Sequence, residues 1–237
     1  MPLLVRTWNV FHGNAVPPQR RAYLEEMVRL AAGDRPDLLC LQEVPLWALG
    51  RLAAWSGMEA FGAAAALPIL RSVRLGKVLT DLHHGLLRSA VTGQANAILV
   101  APSLHVEEEW RSLISEPGEG ERRVCHAVRV EGLGVVGNFH ATTRFADAQF
   151  RRALRLVELR AQPDAPVVLC GDANVAPTAG GVYDELHARG FSRPAPGIDQ
   201  ILVRGLPATA PAVWPEERRR VDGRLLSDHA PVELHLG

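Results

Sequence analysis

Short, nearly unbroken runs of Val, Ile and Leu recur along the chain, and several stop abruptly on a polar residue. An apolar run of a few residues without alternation is the pattern of a strand covered on both faces. The runs at 3–10, 37–43, 95–100, 122–130, 134–140, 165–171, 198–203, 207–213 and 230–236 read as strands. Amphipathic stretches at 18–32, 45–55 and 145–160 read as helices, the first opened by prolines. The opening order strand, helix, strand, helix predicts parallel pairing through helical crossovers. Farther on, Glu131-Gly132-Leu133 between two strands predicts a tight antiparallel hairpin. Mixed pairing with helices predicts an α/β sandwich. No repeat or Ser/Gly linker divides it, so one domain over 1–237 is expected, with 68–94 as a helix-plus-loop insertion.

Charge narrows the partners. The 237 residues carry 26 Lys and Arg against 26 Asp and Glu, which excludes strong whole-molecule attraction to nucleic acid or anionic membrane and leaves only local basic surfaces. Cys40, Cys125 and Cys170 lie far apart in apolar stretches without a CxxC pair, so they are expected to be small buried hydrophobes rather than a disulfide framework or zinc knuckle. No apolar run of about 18 residues is present to span a bilayer, and the opening MPLLVRTWNV begins as a strand rather than a secretory signal. The expectation is a cytoplasmic monomer.

The polar residues at the strand ends carry the chemistry. Asn9 ends one strand, Gln42-Glu43 another, Asn138 and His140 a third; Asp172 and Asn174 follow a fourth, and Asp228-His229 precede the last. Charges and amides are costly in a core unless paired or bound, and ligands in α/β sheets gather at strand ends. These residues are expected to converge on one site. Glu43, Asp172, Asp228 and the amide oxygens of Asn9 and Asn174 are hard donors suited to Mg²⁺ or Mn²⁺. A cation with imidazolium donors neutralises a phosphate, while an Asp beside an Asn supplies a base and an amide for an attacking water. Taken singly, each has a plainer reading: Asn9 suits a strand-end turn, Asp172 or Asp228 a turn carboxylate, His229 a core histidine. Gln42 is expected to point away from Glu43, its neighbour in a regular strand.

The segments Thr7-Trp8-Asn9-Val10-Phe11-His12, Leu39-Cys40-Leu41-Gln42-Glu43-Val44, Asn138-Phe139-His140-Ala141, Gly171-Asp172-Ala173-Asn174, Ile198-Asp199-Gln200-Ile201-Leu202 and Ser227-Asp228-His229-Ala230-Pro231-Val232 resemble, in order, the motif set of the endonuclease/exonuclease/phosphatase family. The resemblance spans nearly the whole chain. It implies a DNase I-like four-layer sandwich, two mixed sheets face to face with helices outside. It further implies that Glu43 holds the metal with Asn9 and Asp228, that Asp172 activates water, and that Asn174 holds water or phosphate. His140 and His229 would contact the scissile phosphate, His229 oriented by Asp199. An imidazole kept cationic by a carboxylate is in any case a better phosphate donor.

Substrate is less legible. The family branch that cuts at abasic sites typically has Tyr where this chain has His140, so the resemblance leans toward nuclease, phosphodiesterase and phosphatase branches. Asn96, in Gly93-Gln94-Ala95-Asn96-Ala97-Ile98-Leu99, is a candidate for facing the site. Arg71, Arg74, Lys77 and Arg88 in the insertion, with Arg144 after His140, are candidates for backbone-phosphate contact. They favour a nuclease over an enzyme for a small or lipid phosphoester, with an inactive binding module as a third reading. His12 could line the site, whereas His126, inside an apolar strand, reads as a buried hydrogen-bonded histidine. Arg218-Arg219-Arg220 reads as a polar loop offset by Glu216-Glu217.

Overall fold

The apolar runs at 3–10, 37–43, 95–100, 122–130, 134–140 and 165–171 are buried along most of their length, against a second sheet on one face and helices on the other. The computed structural model describes residues 2–67, 78, 92–162 and 164–237. In chain order the described elements are β1 (Leu3–Asn9), β2 (Ala15–Val16), α1 (Leu24–Ala32), β3 (Leu38–Val44), α2 (Leu52–Ser56), β4 (Glu59–Ala66), β5 (Gln94–Val100), β6 (Val106–Leu113), β7 (Val124–Val130), β8 (Gly134–His140), α3 (Ala146–Arg160), β9 (Val167–Asp172), α4 (Val182–Ala188), β10 (Asp199–Arg204), β11 (Ala212–Val213), β12 (Arg220–Val221), β13 (Arg224–Leu226) and β14 (Val232–Leu236). One sheet runs β11-β14-β1-β3-β5-β4 and the other β10-β9-β8-β7-β6, with β12-β13-β2 as a small third sheet. The pairs β1–β3 and β8–β9 are parallel and the other pairs antiparallel.

Three apolar clusters fill the spaces between four layers. Leu38, Cys40, Ile98, Val128, Val136, Val168 and Ile201 meet between the sheets. Trp8, Leu39, Leu41 and Val44 pack under α1, whose Leu24, Met27, Val28 and Ala31 form a single stripe at helical spacing. Phe139, Val135 and Leu169 pack under α3 through Phe150, Leu154 and Val157. Burial of each large aliphatic side chain contributes on the order of 2 kcal/mol. All three cysteines are free and buried, as their apolar surroundings imply. The buried Arg6 guanidinium lies 4.4 Å from the Trp214 ring centre and is held by Asp34, Glu233 and the Ala31 carbonyl, tying β1 to β14 and to the end of α1.

Several boundaries differ from expectation. The first helix starts at Leu24 rather than Pro18, because the chain through the two prolines is irregular and helix begins only where the apolar stripe does. The stretch 207–213 contributes only β11 and an isolated bridge from Ala208 to Leu236. β4, β6 and α4 had no clear sequence signal. β6 is an edge strand carrying Glu107, Glu108 and Glu109, charges that blunt an exposed edge and at the same time erase the apolar pattern. The proposed insertion lies, apart from Val78 and residues 92–94, outside the described residues.

The ladder of β3 is broken near its end. β3 pairs Leu41 with Ala97 and then Val44 with Ala95, so Gln42 and Glu43 together oppose Asn96. This is a bulge, and Glu43 occupies the left-handed region at φ 56°. Leu41 and Val44, three residues apart, consequently both pack under α1. The expectation that Gln42 and Glu43 face opposite ways is corrected by this bulge: both turn away from the α1 layer, Gln42 between the sheets and Glu43 toward the edge where the polar strand ends gather.

Candidate active site

Parallel pairing within each sheet brings the polar strand ends to one edge. Asn9 is in register with Gln42, His140 with Asp172, and Asp172 with Asp199 on the antiparallel β10. The close approach of β8 and β9 at this edge needs Gly171: at φ 150° a Cβ would sit 2.0 Å from the Phe139 carbonyl oxygen. Asn9 joins the two sheets, its Nδ2 donating to Asp172 Oδ2 at 2.9 Å and lying 3.3 Å from Glu43 Oε1. The Asn9 oxygen accepts from the Phe11 amide at 3.0 Å, so in this geometry the amide aligns two carboxylates and directs its nitrogen toward them.

Around this axis the remaining groups close in. His140 Nε2 is 3.4 Å from Asp172 Oδ2 and 3.9 Å from Glu43 Oε1. His229 Nε2 is 3.7 Å from the same Asp172 oxygen, and its Nδ1 is bonded to Asp199 Oδ2 at 2.8 Å. The Asn174 amide N–H donates to Asp172 Oδ1 at 3.0 Å, while its side chain donates to the Ala141 carbonyl. A cavity of about 510 Å³ is lined by Glu43, Arg123, His140, Asp172, Asn174 and His229, with walls from Gly118–Glu121 and Thr142–Phe145 that include Arg144. Asp228 is exposed and lines an adjoining cavity of about 340 Å³ with Asp199 and His229. Asn96 points elsewhere, donating to the Val124 carbonyl at 2.9 Å. Arg71, Arg74, Lys77 and Arg88 lie outside the described residues.

Four further groups belong to the site or its support, of which only His12 was a candidate from the sequence. His12 Nε2 lies 3.1 Å from Glu43 Oε2, so it belongs to the site, whereas His126 pairs with Glu109 on the far strand β6. Arg123 is buried and its Nη1 lies 2.9 Å from His140 Nδ1, its Nη2 3.1 Å from Glu121. Its position was readable: the hairpin at 131–133 puts the start of β7 beside the end of β8. Arg219 donates to the carbonyls of Leu226, Ser227 and His229, and Ser227 Oγ donates to the Asn9 carbonyl at 2.7 Å, so the loop carrying Asp228 and His229 is fastened from below.

The environment sets the protons. Burial, reinforced by the charge of Asp199, lifts the Asp172 carboxyl to about 7 against the opposing pull of His229, Asn9 and Asn174. Burial also raises Glu43, partly offset by Asn9 and by the charges of Arg123 and His229. Burial pulls His229 down, yet the hydrogen bond and charge of Asp199, with Asp172 and Asp228, more than reverse this and hold it at about 9. His140 is driven well below the usual histidine value by burial and then by Arg123, His229 and His12. A guanidinium only donates, so His140 Nδ1 accepts and Nε2 carries the proton that faces Asp172.

Buried carboxylates held above their ordinary values are a donor set that a hard divalent cation would relieve. Ligand atoms of Asp172, Asp199 and His229 lie within 4.8 Å of one another. His229, however, is bonded to Asp199 and held cationic, and a protonated imidazole does not ligate. Glu43, beside Asp172 and facing the cavity, is the better-placed carboxylate for a cation.

The sequence pattern of the endonuclease/exonuclease/phosphatase family matches residues 7–229. Among solved structures, a mannosyl-6-phosphatase from Bacteroides thetaiotaomicron VPI-5482 superposes with a TM-score of 0.68 at 17% identity, covering 99% of each chain. The human Nocturnin catalytic domain with bound sulfate gives 0.70 at 17% identity, covering 100% of this chain and 93% of that one. A functionally unknown conserved protein from Enterococcus faecalis V583 gives 0.72 at 18% identity, covering 99% of each. No curated protein matches the chain. The likenesses establish a shared DNase I-like fold, and with the match over residues 7–229 the chain belongs to the endonuclease/exonuclease/phosphatase family.

Proposed function

We propose that this chain is a Mg²⁺- or Mn²⁺-dependent phosphoesterase in which Asp172 draws a proton from an attacking water. Family members are generally hydrolases of phosphoesters and divalent-metal dependent. The observation that carries the reading is Asp172 itself: a buried carboxylate poised near 7, within reach of two histidines and fixed on both oxygens by Asn9 and Asn174. A base titrating near neutrality is matched to water activation. His229 donates to a phosphate oxygen as an imidazolium, and His140 donates through Nε2–H as a neutral ring. Asn174 keeps Asp172 aligned from the turn after β9. Glu43 would hold the cation, with Asp228 as a further candidate, while Asn9, expected from the sequence as a ligand, turns its amide nitrogen to the carboxylates and its oxygen to Phe11 and so orients Glu43 instead; a bound cation would supply charge neutralisation at the phosphate.

For the substrate, the described walls of the cavity favour a phosphoester small enough to enter it. Arg123 and Arg144 offer two cations, but Glu119 and Glu121 stand on the same rim, and Glu119 is held ionised at about 2 chiefly by its bonds to Arg152. With Glu119 paired to Arg152 and Glu121 to Arg123, the rim carries little net positive charge to attract a long polyanion. Arg144 keeps a nuclease as the second reading. Turnover of bis-p-nitrophenyl phosphate, sugar phosphates, nucleotides, RNA and single- and double-stranded DNA with Mg²⁺ or Mn²⁺ tests both. Selective turnover of small esters supports the first reading; salt-sensitive cleavage of DNA or RNA supports the second. Activity indifferent to EDTA would sink the metal-dependent mechanism.

A further inference from the structure

Between the two sheets, where the core is otherwise aliphatic, four polar side chains form a connected set. Asn138, on β8, donates from Nδ2 to the carbonyl of Leu41 on β3 at 2.9 Å and to that of Ala97 on β5 at 2.8 Å. Its Oδ1 accepts from Gln42 Nε2 at 2.7 Å, and Gln42 Nε2 also lies 2.9 Å from Thr7 Oγ1 on β1. Asn96, on β5, reaches the opposite way, to the carbonyls of Val124 at 2.9 Å and Asn138 at 3.5 Å. Thr7, Gln42 and Asn138 have no exposed surface, and Asn96 almost none. A buried amide is costly unless its bonds are made.

These bonds fall at one place in the ladder. Leu41 and Ala97 are the last regular pair before the bulge, Gln42 and Asn96 are in it, and Glu43 is its left-handed residue. A non-glycine residue in that conformation persists only where its surroundings hold it. With β3 regular, Glu43 would take the alternate face and turn toward the α1 layer, away from Asp172 and His140.

We infer that Asn138 is a positioning residue that clamps the β3 bulge and thereby keeps the Glu43 carboxylate in the cavity. The same strand ends in His140, so one residue sets the spacing between Glu43 on one sheet and His140 and Asp172 on the other. The inference rests on the reading of Glu43 as the cation-holding carboxylate for its functional consequence, and on the Asn138 hydrogen bonds and the β3 backbone for its structural one.

Asn138→Leu keeps the branched shape of the side chain, with somewhat more volume, and removes all three of its side-chain bonds. Its effect is read in two ways on the full chain: from the backbone carbon shifts of Glu43 in the metal-free protein, which report its left-handed conformation, and from Mn²⁺ affinity by calorimetry. The expected result is a move of Glu43 toward strand values with a roughly ten- to hundredfold loss of Mn²⁺ affinity, the range for removing a group that orients a ligand. Combining Asn138→Leu with Glu43→Ala should cost no more affinity than Glu43→Ala alone, since both act through one carboxylate; additive losses would make Asn138 merely structural. Unchanged Glu43 shifts in a folded Asn138→Leu protein overturn the inference. If Glu43→Ala itself leaves Mn²⁺ affinity intact, the metal reading fails, and the Glu43 shifts still decide the positioning role. Should Asn138→Leu not fold, Gln42→Met removes the bond to Asn138 Oδ1, together with the Gln42 bonds to Thr7 Oγ1 and the Cys40 carbonyl, and leaves both Asn138 Nδ2 bonds in place. It is expected to move the same shifts and lower affinity severalfold, and no change in either overturns the inference.

Discussion

His140 and His229 flank the same oxygen of Asp172 from two directions, yet the fold gives them opposite protons. His229 sits on the loop before β14 with Asp199 on its Nδ1 and is held cationic at about 9. His140 ends β8, buried but for the edge that meets the cavity, with a guanidinium on its Nδ1, and is held neutral. The same side chain thus becomes a charged donor on one wall and an uncharged, tautomer-fixed donor on the other, according to whether an acid or a base stands behind it. Asp172, between them, is the carboxylate that both rings face through Nε2.

Removing the shared partner is the severest test. Asp172→Ala is expected to lower kcat by a factor of roughly a hundred to ten thousand, and a folded variant with full turnover would misplace the base. Next comes the charged half. Asp199→Asn should keep the hydrogen bond but withdraw the charge that sustains the imidazolium. The alkaline limb of the kcat/KM profile, expected near 9, should then shift downward, with a loss of roughly a hundredfold at neutral pH. An unmoved alkaline limb would show that His229 does not owe its proton to Asp199.

How much of this arrangement could be read from the chain depends on whether a role is local or relational. Asn9, Glu43, His140, Asp172 and His229 were legible because each interrupts or ends an apolar run, where a polar residue needs a reason. Arg123 was not singled out because Arg122-Arg123 reads as an ordinary polar strand start, and only the hairpin register brings it to His140. The bulge at Gln42–Glu43 left no mark, since a strand with one extra residue has the same composition as one without, and the parity of Leu41 and Val44 shows only once α1 is in place. The strands β1, β3, β8 and β9 were readable because they are buried on both faces. Edge strands such as β6, Glu-rich on an open border, carry a pattern set by solvent and by the avoidance of pairing rather than by the core.

The neutral half can be probed by taking away its cation. Arg123→Leu removes the donor to His140 Nδ1 and, with it, the second-largest influence depressing that ring. In the metal-free protein, ring-nitrogen NMR should show His140 titrating higher than in the wild type while remaining below the usual histidine range, because burial persists. Turnover should fall roughly tenfold to a hundredfold, the cost of losing one charged hydrogen bond of about 1.5–3 kcal/mol. An unchanged tautomer would mean that enclosure alone fixes the ring, and the contrast between the two histidines would then owe nothing to Arg123.

The smallest expected effect is on stability, where the two histidines pull in opposite directions across different pH ranges. A group whose native value is raised binds its proton more tightly when folded, so its stabilisation is present at low pH and is lost as pH climbs through the raised value. For His229, lifted from 6.5 to about 9, the loss falls between those values. For Asp172, lifted from 3.8 to about 7, it falls largely below 7. His140, lowered, does the reverse and destabilises only as pH drops below the ordinary histidine range. Above about 6.5 His140 is therefore silent. Thermal unfolding in EDTA should show Tm decreasing from about pH 6.5 to about 9, with His229 contributing at most on the order of 3 kcal/mol, a shift of several degrees for a chain this size. Asp199→Asn should flatten the slope and Arg123→Leu should leave it alone. A slope that survives Asp199→Asn and vanishes with Arg123→Leu would reverse the assignment of charge between the two histidines.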